Sequence, residues 1–115
     1  MKDRDFVNAI YFELFKENFA YYKERLALPS NENDDPYNLA RKAMASLSES
    51  QKMDIINFLK VVITDSVSVL LGTIDGVHFP DELDGDFVLS VGGEEIQGDL
   101  QDIFIGKTQD DETQE

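Results

Sequence analysis

A chain of 115 residues without a cysteine fits one domain, and it excludes disulfides, thiol nucleophiles and cysteine-held metal. Hydrophobic residues make up 42%, enough for a real core, so the chain is not compositionally disordered. A net charge of −14 sets it against nucleic-acid phosphates and anionic lipid, and toward basic partners.

The charge is segregated. Residues 1–60 hold nine Lys/Arg and ten Asp/Glu, whereas residues 61–115 hold Lys107 alone against fourteen Asp/Glu. Acidity in general serves solubility, but folding does not require lysine to be excluded from one half. The opening MKDRDFVNAI mixes acids with bases, so no secretory leader is expected. The most apolar run, Val61 to Ile74, is 14 residues long and contains Asp65. That is short and polar for a bilayer span. The expectation is a cytoplasmic protein with no membrane or nucleic-acid partner and no cofactor.

Residues 3–28 read as a long first helix, with Asp3 and Asp5 at its start and Pro29 at its end. Phe12, Phe15, Phe19, Tyr22 and Leu26 form an apolar row, widened by Val7, Tyr11 and Leu14 and expected to pack on the central helix. Ser30 to Pro36 is a turn-rich loop. A second helix, Tyr37 to about Leu47, starts at Asp34 or Asp35 ahead of Pro36 and turns Arg41 and Lys42 to water. The longest pattern runs from Ser48 to Gly76. Ile55, Ile56, Leu59, Val62, Ile63, Val67, Leu70 and Leu71 recur at three- and four-residue steps, the mark of a core-facing helix. Ser48 with Gln51 forms a capping box, and Gly72 or Gly76 supplies the stop.

Beyond Gly76 the period changes. Phe87–Val91 and Glu94–Gln97 read as a hairpin about Gly92-Gly93, a pair that suits a type I′ turn. Asp99 is placed to cap a short last helix carrying Leu100, Ile103 and Phe104. The expected fold is α+β: a three-helix N-terminal unit packed on a small antiparallel hairpin, with a short C-terminal helix. Residues 1–107 form one domain and 108–115 a disordered acidic tail.

Catalytic signals are thin. His78, the sole histidine, lies between Asp75 and Asp81 and has the chemistry of a general base or metal ligand. It also fits an ordinary turn residue. The run Asp81 to Asp86 fails as a calcium loop, because setting Gly85 at position six puts Pro80 at position one. Asp65, within the apolar helix, reads as a solvated flank or, if buried, as an acid in need of a partner. Glu94, Glu95 and Asp99 rule out a phosphate cradle around Gly92, Gly93 and Gly98.

A helix ending Leu70-Leu71-Gly72-Thr73-Ile74-Asp75-Gly76 precedes a strand pair around Phe87–Leu89 and Ile96. The sequence Gly98-Asp99-Leu100-Gln101-Asp102-Ile103-Phe104-Ile105 then follows. Over residues 48–106 this order resembles small acidic bacterial immunity proteins of polymorphic and contact-dependent toxin systems. The resemblance implies a non-enzymatic protein that binds and neutralises a cognate basic toxin, often a nuclease. The carboxylates that would meet it are Asp75, Asp81, Glu82, Asp84, Asp86, Glu94, Glu95, Asp99 and Asp102. The competing readings are a homo-oligomer built on the aromatic first helix and a small hydrolase around His78.

Overall fold

Most helix ends fall where local chemistry puts them. The protein, seen here as a computed structural model describing the backbone of residues 2–114 and the side chains of residues 2–110, begins with α1 (Lys2–Phe12). A π-helical stretch (Glu13–Asn18) and α2 (Phe19–Leu26) continue it without a break. Asp35 caps α3 (Pro36–Met44) by accepting from the Asn38 amide at 3.1 Å. The α4 helix (Glu49–Asp75) starts at a complete capping box. Ser48 Oγ accepts from the Gln51 amide at 3.1 Å, and Gln51 Oε1 accepts from the Ser48 amide at 3.0 Å. Gly76, at φ 80°, ends it in the left-handed conformation that glycine adopts without penalty.

Gly92 and Gly93, at φ 57° and 84°, turn β1 (Ser90–Val91) back into β2 (Glu94–Glu95), with Ser90 opposite Glu95. The expected hairpin is present but shorter. The Ile96 amide still reaches the Leu89 carbonyl at 2.8 Å, while Phe87 and Val88 stay outside the ladder and exposed. The last helix, α5 (Leu100–Gln114), is longer than predicted and takes in residues 108–114 of the expected disordered tail. No glycine or proline interrupts TQDDETQ, and Gln and Glu are good helix formers. Glu115 lies outside the described residues. Helices followed by a two-stranded antiparallel sheet make the fold α+β.

The packing departs from expectation in three places. Val7, Tyr11, Leu71, Ile96, Leu100 and Phe104 form the main core, in which α1 packs on α5 and α5 in turn packs along α4. A smaller contact joins α2 and α3 to the start of α4, burying Phe19, Met44 and Ile56. Phe12 is exposed, not part of the inward row. Residues four apart drift around an α-helix, but a π turn takes up an extra residue and keeps Tyr11, Phe15 and Phe19 in line. Arg41, expected in water, is buried. Its Nε donates to the Arg25 carbonyl at 2.7 Å, a helix-end acceptor that otherwise has only a long 3.4 Å bond from the Leu28 amide.

The middle of α4 carries the largest difference. Of its predicted stripe, Ile56 and Leu71 are buried, Leu59, Ile63 and Val67 half-buried, and Ile55, Val62 and Leu70 exposed. Leu59→Ala and Ile63→Ala should therefore cost about 1–2 kcal/mol each in urea unfolding, below the 2–5 of a closed core site. A loss above about 3 kcal/mol at both positions would mean that this stretch is covered. The molecule is drawn out along α4, with extents of 50 × 36 × 23 Å and a radius of gyration of 17.5 Å. A globule of this length has a radius of about 13 Å.

Candidate partner interface

The acidic half of the sequence builds one end of the molecule. Eight of the nine predicted contact carboxylates (Asp81, Glu82, Asp84, Asp86, Glu94, Glu95, Asp99 and Asp102) are exposed. The structure divides them into two groups. Glu94 and Glu95 line a shallow depression with Lys2, Asp3 and Asp5, and Asp99 and Asp102 line another with Asp3, Arg4 and Lys107. The first turn of α1 thus joins the acidic end. Its Asp3 and Asp5 were legible in the sequence only as helix-dipole partners. The same turn brings cations: Lys2 Nζ lies 3.5 Å from Glu94 Oε2 and donates to the Val91 carbonyl at 3.4 Å.

Asp81, Glu82, Asp84 and Asp86 lie in the loop between α4 and the hairpin. Glu82 takes φ 72°, a left-handed conformation that costs a side-chain-bearing residue about 1–2 kcal/mol. Interleaved with these acids are exposed apolar side chains: Phe79 at 70% exposure, Leu83 at 53% and Val88 at 62%. The sequence singled out the carboxylates of this loop among the nine contact residues and not its apolar members. Alternation of large apolar residues with turn formers was the signal available.

Asp75 has a different task. Its Oδ1 accepts from the Gly98 amide at 2.6 Å and its Oδ2 from the Gln101 amide at 2.8 Å. Both oxygens thus clamp the start of α5 to the end of α4. The carboxylate at the amides that open α5 is this one; Asp99 contributes its carbonyl, which accepts from the Ile103 amide at 3.0 Å. Close by, α5 crosses α4 at Gly72, where an added Cβ would come within 2.5 Å of Gln101 Nε2 and 3.3 Å of His78 Cβ. His78 is itself exposed and its backbone amide donates to the Gly72 carbonyl at 3.1 Å.

Asp65 is exposed on the outer face of α4. Among the described residues no group of three or more His, Asp or Glu is arranged to hold a metal ion. At the opposite end, Leu26, Met44, Met53 and Ile56 line a cleft of about 300 Å³ together with Lys23, Lys52, Glu49 and the buried Arg41. Most of the N-terminal aromatics face inward: Tyr11 and Phe19 are buried, and Tyr11 meets Phe15 and Phe104 at ring-centroid distances of 4.7 and 6.2 Å. By length and composition α4 is able to cross a membrane, a property hidden when Val61–Ile74 is counted alone. No family model, curated protein or solved structure matches this chain.

Proposed function

We propose that this chain is a non-enzymatic binding protein that engages a cationic protein through its acidic end, in the manner of an immunity protein neutralising a basic toxin. The observation that carries the reading is the loop of residues 77–88, where Phe79, Leu83 and Val88 stand exposed among Asp81, Glu82, Asp84 and Asp86. Stable interfaces combine an apolar centre with a polar rim, and this loop offers both in one segment. Its carboxylates offer a basic cleft negative charge in place of phosphates. Such charges steer encounter and choose partners more than they add affinity.

The test begins by isolating the partner on the immobilised chain from producing cells and then measuring association kinetics. Association should slow at least about tenfold between low salt and ~0.5 M, since exposed charges are screened beyond ~8–10 Å at physiological ionic strength. Asp84→Lys with Glu95→Lys should slow it further at low salt and leave Tm within about 2 °C of wild type. Salt-independent association, with the double variant unaffected, would refute the reading.

A further inference from the structure

The outer face of α4 is apolar, continuous and uncovered. Ile55, Phe58, Val62, Asp65 and Val69 follow at steps of three, four, three and four, the repeat of a coiled-coil seam. Phe58 is 60% exposed, Val62 47% and Val69 47%, and Val61 and Leu70 widen the strip on either side. The whole chain exposes 8025 Å², whereas a compact monomer of 13.0 kDa exposes about 6,300 Å². The surplus, about 1,700 Å² per chain, belongs to the whole drawn-out molecule, the 77–88 loop included; obligate homodimers bury about 2,000–5,000 Å² in total, so the excess leaves room for one such interface.

We infer that the occupant of this face is a second copy of the chain, with the two α4 helices packed antiparallel. Charge fixes the direction. Residues 19–60, around the start of α4, carry six Lys/Arg and six Asp/Glu, whereas residues 61–107, around its end, carry Lys107 against ten Asp/Glu. Parallel pairing would stack the two acidic ends and bring Asp65 directly onto Asp65. Antiparallel pairing sets each acidic end beside a neutral one, and like charges at close range cost several kcal/mol. In an antiparallel seam the two kinds of seam position face each other. Phe58 then packs on Val69 of the second copy and Val62 lies opposite Asp65, which keeps the two aspartates staggered.

A lipid bilayer covers this face less well. The α1–α2 rod runs alongside α4, from Tyr11 near Leu71 to Leu26 near Ile56. Its exposed Glu13, Lys16 and Glu17 would have to enter hydrocarbon with it, at a cost of several kcal/mol. The dimer also leaves the 77–88 loop at the outer ends, so this inference and the binding reading stand or fall separately.

Sedimentation equilibrium without detergent should give twice the 13.0 kDa chain mass at about 10 µM protomer. Val62→Glu sets a carboxylate against Asp65 of the second copy and should raise the dissociation constant at least about a hundredfold, with the helical far-UV signal retained. Asp65→Leu removes the charge from the seam and should lower it about tenfold. Orientation is read by cysteine pairing in a chain that has none of its own. Phe58→Cys and Val69→Cys should cross-link when mixed and not alone, because the two Phe58 positions lie about 16 Å apart along the helices. A monomer at about 100 µM, an Asp65→Leu variant no tighter than wild type, self-linking of either single cysteine, or tight binding to phosphatidylcholine vesicles would each overturn the inference.

Discussion

Phe104→Ala should lower the unfolding free energy by about 3–5 kcal/mol, the range for emptying a large aromatic site in a closed core. Phe104 is 0% exposed and has rings on two sides, Tyr11 at 6.2 Å edge-on and Phe15 at 6.3 Å. Val7, Leu71, Ile96 and Leu100 complete the same cluster, so α1, α4, the hairpin and α5 all rest on this one side chain. Against a total stability of about 5–15 kcal/mol, the loss should leave the acidic end largely unfolded at moderate urea. Urea unfolding followed by far-UV signal, at one protomer concentration because a dimer is stabilised by mass action, is the measurement. A loss under about 1 kcal/mol would mean that Phe104 is not central to the core.

What the sequence carried and what it did not divide along a physical line. The start of α3, both ends of α4 and the hairpin turn were legible because their causes are local. Ser48 and Gln51, Asp35 and Pro36, and Gly92 and Gly93 each act within four residues of chain. The apolar pattern of α4 was legible as a helix but not as a choice of face. Ile55, Phe58 and Val62 look the same in sequence whether they meet α1 or a second copy. Phe12 left the aromatic row because six residues of π-helix follow it, and no residue type in ELFKEN announces that.

Buried polar residues were the other blind spot. Arg41 read as a solvent-facing side chain of a short helix, and nothing in the sequence singled out Asn38. Asn38 Nδ2 donates to the carbonyls of Asn31 and Asn33 at 2.7 and 2.5 Å, pinning the loop before α3. Such roles depend on where a distant carbonyl comes to rest. The acidic end was legible as a charge imbalance, and its apolar members were not, because the carboxylates dominated the reading.

Asp75 stands apart from the exposed carboxylates of the acidic end, and its replacement gives the second large effect. It accepts from amides 23 and 26 residues away, so it closes the contact between the end of α4 and the start of α5. Hydrogen bonds to an ionised acceptor contribute about 1.5–3 kcal/mol each, less where water reaches them. Asp75 is half-buried, so Asp75→Ala should cost about 2–4 kcal/mol and lower Tm by roughly 10 °C. Asp75→Asn keeps one acceptor but turns an amide NH₂ toward the other donor, and should recover less than half of the loss. Hydrogen exchange should show the Gly98 and Gln101 amides losing protection first. Partner association per folded molecule should be unchanged in the alanine variant, in contrast to Asp84→Lys, where the fold persists and the encounter slows. Slower association by folded Asp75→Ala at full stability would return Asp75 to the contact surface and remove it from the frame of the fold.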